Sequence, residues 1–344
     1  MKTRCLFLSQ SITLIVLICA LQSCKKSNPA STAFYYWKSN FSLDKQQIQL
    51  LKETGTKAVY LRFFDIAWDD RTQKAYPDAV VSFASPPGKL NITPVIFISN
   101  KTFEQINVNA VDSLAIRSGA LIDRIAAKNK ISYKTIQVDC DWTLTTREKY
   151  FNFLRKLKLA SQRGLEATIR LHQVKYKERT GVPPVEMGVL MFYNMGKLTT
   201  GPDQPNSIYN ETDAEKYVSY IPGYPLRLDV ALPLFSWAIA VREGRIIQLY
   251  SNLGEKQLSN SPGFDQTGNS YRAKKSFFFN GIYVKENDIF KVEQTDIKTL
   301  QKAAKQLSAN LPSQKNRTII YYELGNLNQS EFSAQKLNQV SADL

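Results

Sequence analysis

The segment Ile136-Gln-Val-Asp-Cys-Asp-Trp-Thr143 places polar side chains at every second position: Gln137, Asp139, Asp141 and Thr143. Alternate residues of a strand share a face, so this spacing predicts that both carboxylates enter one space. Like charges held that close are costly unless a raised pKa, a cation or a substrate makes use of them. Carboxylate acid–base chemistry is the expectation. The chain has a single histidine, His172, which excludes multi-His zinc sites and leaves one candidate for a Ser-His-Asp or Cys-His arrangement. No metal and no cofactor is expected, since no Gly-rich dinucleotide or phosphate-binding fingerprint follows any strand candidate.

The elements that must position these residues can be read from periodicity. Eight strand candidates occur in order: Ala33–Ser39, Ala58–Phe64, Ile92–Ser99, Thr135–Asp141, Ala167–Gln173, Gly188–Asn194, Arg227–Leu234 and Arg317–Leu324. Amphipathic stretches lie between them at Leu43–Thr54, Val111–Lys128, Thr145–Gln162, Asp213–Tyr220 and Asp296–Ala309. Several strands are apolar on both faces, as parallel strands covered by helices must be. The alternation predicts one α/β domain, an irregular (β/α)8 TIM-type barrel spanning residues 33–344. The second unit is irregular, because Ala67–Leu90 is rich in proline and turn residues, and the fifth is short at Lys175–Pro184. An insertion of about residues 244–293 follows the seventh strand, with a hairpin expected around Phe277–Val284.

Barrel active sites lie at the C-terminal ends of the strands. Candidates there are Arg62 and Asp65 on the second strand, Asp139 and Asp141 on the fourth, and Arg170 and His172 on one face of the fifth. The sixth strand ends Met191-Phe-Tyr193-Asn194 and the eighth Tyr321-Tyr-Glu323. All four tryptophans, Trp37, Trp68, Trp142 and Trp237, fall at or just beyond strand ends. Aromatic faces there suit sugar rings. The parity of Trp142 groups it instead with Val138 and Cys140 on the helix-facing side. Arg170 has a second reading, as an inert salt-bridge partner of Asp139 or Asp141 inside the barrel.

The N-terminus carries Lys2 and Arg4, an apolar run from Ile12 to Ala20 and then Leu21-Gln-Ser-Cys24. This pattern reads as a lipoprotein signal over residues 1–23, with lipidation at Cys24 and a tether over residues 24–32. Removal of Lys2 and Arg4 leaves 43 basic against 30 acidic residues, a net charge of +13. Behind a lipid anchor the polyanions within reach are membrane headgroups, acidic polysaccharides and cell-wall polymers rather than nucleic acid. Lys25 and Lys26 follow the anchor and point to the periplasmic face of the outer membrane as its location. Cys140 is the only other cysteine of the mature form, so no intramolecular disulfide can form.

On the residues Asp139-Cys-Asp141-Trp-Thr143 and Met191-Phe-Tyr193-Asn194, the chain resembles the chitinase-like, family 18 type of glycoside hydrolase barrel. Those strands carry D-x-x-D-x-D-x-E and M-x-Y-D in that family. The chain is also similar to an uncharacterised group of bacterial barrel proteins whose fourth strand follows a V-Q-I-D-x-D pattern, here Gln137 to Asp141 with the amphipathic Arg147–Leu157 behind it. The resemblance implies catalytic or orienting roles for Asp139 and Asp141, sugar contacts for Tyr193 and Asn194, and a glycan as partner. In the chitinase-like enzymes the last Glu of the motif protonates the leaving oxygen, and here that position is Thr143.

The expectation is therefore a glycoside-hydrolase-like lipoprotein acting on a glycan by acid–base chemistry. Asp139 and Asp141 would be the acids, with Glu323, or a protonated Asp141, supplying the missing proton. Arg62, Asp65, Arg170 and His172 would bind substrate, and Trp37 and Trp237 would form stacking walls. The alternative is a barrel that binds glycans without cleaving them. A third reading, metal-assisted deacetylation, requires Asp139, Asp141 and His172 to converge on one cation.

Overall fold

Eight short apolar runs separated by amphipathic stretches have few ways to bury both faces, and this chain does so by closing a barrel inside a layer of helices. The computed structural model describes residues 30–344 other than 202, 252, 326, 328 and 329. The predicted signal and its lipidation site at Cys24 lie outside the described residues. The barrel strands are Ser31–Tyr36, Ala58–Asp69, Asn91–Ile98, Thr135–Asp139, Gly164–Arg170, Met187–Met191, Leu228–Pro233 and Thr318–Tyr322, numbered below as first to eighth. Each pairs in parallel with the next, and the first pairs with both the second and the eighth, which closes the cylinder. The predicted (β/α)8 barrel is the fold observed.

Strand alternation divides the apolar side chains into two cores. Phe34, Tyr36, Val59, Leu61, Ile136, Val138 and Ile169 face outward into a large cluster with the helices. Ala33, Tyr35, Tyr60, Val95, Val189, Met191, Ala231 and Ile320 face inward and fill the cylinder. The helices Lys45–Glu53, Val111–Lys128, Arg147–Ser161, Glu211–Val218 and Ile297–Ser308 occupy the expected amphipathic stretches, and Ala334–Ala342 adds one that the sequence reading lacked. Capping fixes where some of them start. Asp44 accepts from the Gln47 amide at 2.8 Å, and the Gln47 side chain donates to the Leu324 carbonyl at 3.0 Å, tying the first helix to the end of the eighth strand.

The second unit has no helix. Its strand runs on to Asp69 and returns as the antiparallel strand Lys74–Asp78. Within this second strand the register against the third slips between Arg62 and Phe64. One surplus residue reverses the alternation beyond it, so Phe63 and Phe64 both join the outer core while Arg62 and Asp65 pair with each other at 3.1 Å. The fifth unit has only the short helices Leu171–Lys175 and Lys177–Thr180. After the seventh strand, a five-stranded antiparallel sheet runs from Ser236 to Gln294, taking in the strand Ser236–Arg242 ahead of Gly244. Beside it, Phe277–Phe279 and Ile282–Val284 form the expected hairpin. Its turn has positive φ at both Asn280 and Gly281, the conformation a two-residue Asn-Gly turn requires.

A polar stack runs through the lower barrel. The Tyr35 hydroxyl donates to Gln137 Oε1 at 2.7 Å, and Gln137 Nε2 donates to Glu166 Oε2 at 3.4 Å. Burial and the nearby Asp229 push the Glu166 carboxyl up to about 7, against the hydrogen bonds from Tyr60 and Gln137. The folded state therefore keeps a proton on Glu166 that the unfolded chain, with a pKa near 4.5, has released, so stability declines as pH rises between those two values. The predicted outcome is a melting temperature that falls over this window in the wild type and falls less steeply in Glu166→Gln, measured by thermal unfolding at a series of pH values.

Candidate functional site

The C-terminal ends of the barrel strands form a mouth with two unlike halves. The second to fifth strands supply a charged arc. Arg62 and Asp65 come from the bulged second strand, and Phe97 stands in register between Asp65 and Asp139. Asp139, almost wholly buried, accepts from Thr168 Oγ1 at 2.6 Å and from Arg170 Nη2 at 3.4 Å. Burial works against the Arg170 charge, but Asp139 and then Tyr193 outweigh it, and its pKa is raised. Burial raises the Asp65 carboxyl, opposed by Arg62 and reinforced by Asp78 and Asp139.

The remaining strands supply aromatic rings. Trp37, just past the first strand, packs on Tyr322 of the eighth at 5.5 Å between centroids. Tyr322 packs on Phe235 beyond the seventh strand at 5.8 Å and on Tyr193 beyond the sixth at 5.9 Å. Phe235 packs on Trp237 at 5.4 Å. Since the strands lie round the cylinder in the order first, eighth, seventh, sixth, these five rings make a continuous arc. Four of them, Trp37, Phe235, Trp237 and Tyr322, are part-exposed at the mouth. Arg62 joins the two arcs, its guanidinium carbon 5.7 Å from the centre of the Trp37 ring.

Some expected positions are corrected. The fourth strand ends at Asp139, not Asp141. Asp141 therefore leaves the strand face it was expected to share with Asp139, and its side chain is 58% exposed at the rim. The fifth strand ends at Arg170, because the helix Leu171–Lys175 starts there, so His172 is helical rather than on a strand face with Arg170. The two still meet, His172 Nε2 lying 3.8 Å from Asp141 Oδ1. Burial and then Arg170 lower the His172 pKa, against the pull of Asp141. Gln173 Nε2 also reaches Asp141 Oδ1 at 3.5 Å.

Glu323 follows the eighth strand and is buried, one carboxylate oxygen accepting from the Trp37 and Gly325 amides at 3.3 and 3.1 Å. Asn194 has a left-handed backbone and an exposed side chain. Trp142 is buried in the outer layer, stacked on Tyr150 at 5.1 Å and donating to the Thr180 carbonyl, and Trp68 packs against the outer core. Thr143 lies in the turn before Arg147–Ser161, its hydroxyl 2.9 Å from that of Thr145. Among the described residues no group of three or more His, Cys, Asp and Glu side chains is gathered as a metal site requires.

The network that sets Trp237 was not foreseen. Trp237 Nε1 donates to Glu293 Oε2 at 3.0 Å, and Ser207 donates to the same oxygen through both its amide and its hydroxyl. Lys291, fully buried, lies 2.9 Å from Glu293 Oε1 and reaches Thr199 Oγ1 at 3.3 Å. Burial raises the Glu293 carboxyl, but its hydrogen bonds from Ser207, Trp237 and Lys291 outweigh this and hold it below its usual range. Lys291 and Glu293 share a strand face by parity, yet their partners at 199 and 207 are remote in sequence. Phe235 and Tyr322 lie at strand ends, as Trp237 and Glu323 do, so the same positional reasoning could have reached them.

Comparison with family models and with curated proteins finds no match for this chain. Solved structures do match. The spore cortex-lytic enzyme SleL of Bacillus cereus superposes with a TM-score of 0.51 at 15% identity, covering 91% of this chain and 74% of that one. A chitinase-like agglutinin from Robinia pseudoacacia gives 0.51 at 12% identity, covering 90% and 99%. An immunomodulatory active chitinase from Trichuris suis gives 0.52 at 10% identity, covering 91% and 98%. At such identities the likeness is one of fold: the chain shares the (β/α)8 barrel of these structures.

Removing one member of a buried ion pair strands the other, at a cost of about 3–5 kcal/mol. Glu293→Ala is expected to lose stability on that scale in urea denaturation and to shift the tryptophan emission as Trp237 loses its acceptor. Replacing the pair together, Lys291→Met with Glu293→Leu, is expected to recover much of the stability but not the emission.

Proposed function

We propose that the barrel mouth binds a glycan, on a chain held at the periplasmic face of the outer membrane by a lipid on Cys24. The observation that carries this reading is the continuous arc of Trp37, Tyr322, Tyr193, Phe235 and Trp237 facing the charged arc of Arg62, Asp65, Asp139 and Arg170. Sugar rings present apolar C–H faces and polar hydroxyl edges. A cleft with aromatic surface on one side and paired charges on the other complements both. Asp141, His172 and Asn194 stand exposed at the rim, where a chain leaving the cleft would pass over them.

Binding without cleavage is the reading favoured here, because the motif's proton donor is replaced by Thr143 and two of the candidate acids, Asp139 and Glu323, are otherwise engaged. Asp139 is taken up by Thr168 and Arg170, Glu323 accepts from two backbone amides, and threonine at position 143 has no proton to give at working pH. One observation favours hydrolysis instead. Burial raises the Asp65 pKa against the opposing pull of Arg62, which is the direction in which a general acid is tuned.

A soluble form beginning at Lys25, titrated calorimetrically with a panel of oligosaccharides and peptidoglycan fragments, tests both readings. Saturable binding weakened about fivefold by Trp237→Ala and by Trp37→Ala is the expected result, since stacked rings contribute on the order of 1 kcal/mol each. Absence of binding across the panel, or binding unaffected by both changes, overturns the proposal. Mass spectrometry of the same mixtures reads cleavage. Products from the wild type that vanish in Asp65→Asn, with binding retained, would establish hydrolysis with Asp65 as the acid, and the rate would then fall as pH rises through its pKa.

A further inference from the structure

Basic residues gather at the feet of the barrel strands. The three positions ahead of each strand, from the second to the eighth, contain Lys57, Lys89, Lys134, Arg163, Arg227, Lys315 and Arg317, against the single acid Glu186. Because the barrel strands are all parallel, these residues ring one end of the cylinder, opposite the mouth. Backbone bonds between neighbouring feet hold the ring level. The Asn91 amide donates to the Lys57 carbonyl at 2.7 Å, Gly164 to Lys134 at 3.1 Å, and Ser31 to Arg317 at 2.8 Å.

The ring lacks counter-ions within the protein. Among the described residues none of its seven cations enters an ion pair, whereas Glu186 is paired with Lys158. Helix carbonyl ends also attract cations, but Lys52, Lys128, Lys158 and Lys305 already stand in the last turns of the helices that end here. All of the ring but Arg317 is exposed. Arg317 is buried and donates to the Leu228 and Pro312 carbonyls. With Arg227 and Lys315 it lines a cleft of about 430 Å3 between the feet of the seventh and eighth strands. Asp229 nearby is taken up by the Thr318 amide and by Gln314.

A level ring of unpaired cations complements an extended anionic surface rather than a small ligand. The first strand starts at this same end with Ser31, seven residues after Cys24, and seven extended residues span at most about 25 Å. A lipid on Cys24 would therefore hold the ring within reach of headgroup phosphates, where each lysine or arginine adds attraction. We propose that the ring docks on an anionic phospholipid surface and stands the barrel upright, with its mouth turned away from the membrane. The choice of a membrane over other polyanions rests on the lipid proposed above for Cys24, and it is independent of what the mouth binds.

The test uses the form beginning at Lys25, which carries no lipid, so that vesicle binding can fail while lipidation holds, and the reverse. Cosedimentation is measured with vesicles of equimolar phosphatidylcholine and phosphatidylglycerol and with vesicles of phosphatidylcholine alone. Saturable, salt-sensitive binding to the anionic vesicles only is expected. The combined variant Lys57→Gln, Lys89→Gln, Lys134→Gln and Lys315→Gln should weaken it at least about thirtyfold, since each cation at such a surface contributes roughly fivefold. Removing the same charge from other exposed positions, with Lys45→Gln, Lys256→Gln, Lys275→Gln and Lys285→Gln, should change it less than about threefold, because the attraction fades within a Debye length. Circular dichroism checks that both variants are folded, and the ring variant is expected to bind oligosaccharides as the wild type does. The proposal is overturned if the anionic vesicles are not bound, if neutral vesicles are bound equally, or if the two variants weaken binding equally. It is overturned too if the ring variant loses oligosaccharide and vesicle binding alike, or if polygalacturonate, an acidic polysaccharide, binds the ring more tightly than the vesicles do.

Discussion

The Asp139 carboxylate, buried at the top of the fourth strand, constrains the rest of the mouth. A charge in that position cannot stand alone, because its desolvation exceeds what any single neutral neighbour returns. The fifth strand answers with a hydroxyl from Thr168 and a guanidinium from Arg170. Arg170 then has its own remaining donors to satisfy and turns toward Tyr193 of the sixth strand. Tyr193 in turn seats the Tyr322 and Phe235 rings. One buried charge thus propagates round half the barrel, fixing side chains that belong to five strands. The same hydrogen bonds leave Asp139 more fully partnered than the exposed rim carboxylate Asp141.

The two arcs of the mouth differ in how they are held. Ring-on-ring packing positions the aromatic half, with each indole or phenol supported edge-on or obliquely by the next. The inserted sheet extends that half outward, since Trp237 belongs to its first strand and Glu293 to a neighbouring one. Ser207, from the segment after the sixth strand, reaches the same carboxylate. The sheet is therefore pinned to the barrel through a buried charge rather than through apolar contact alone. Polar pinning of this sort is directional, and it fixes the angle of an indole that greasy packing would leave free to turn.

Much of this was legible in the sequence, for reasons that differ from element to element. Parallel strands buried on both faces announce themselves as apolar runs, and all eight were found that way. What periodicity could not supply was where a strand stops. Cys140 and Asp141 continue the alternation of the fourth strand, yet the chain has already left the ladder at Asp139. Likewise Leu171-His-Gln173 extends the pattern of the fifth strand while folding as a helix. The fifth strand ends level with the sixth, Arg170 standing opposite Met191, whereas the fourth stops while both of its neighbours run on, so neither end is written in a local pattern. Pairings such as Glu293 with Ser207, or Trp37 with Tyr322, join residues far apart in the chain, and no local pattern encodes them.

The surplus residue in the second strand has a consequence for how such a cleft changes over descent. Substitution at Arg62 or Asp65 exchanges one side chain for another at a fixed address. Loss or gain of a single residue near Phe63 would instead exchange the inner and outer identities of everything between the slip and Asp69, carrying Asp65 out of the mouth and an apolar neighbour into it. The chemistry of that quarter of the rim is thereby governed by reading frame as much as by composition. Two relatives could share nearly every letter of this strand and present opposite faces to whatever enters the barrel.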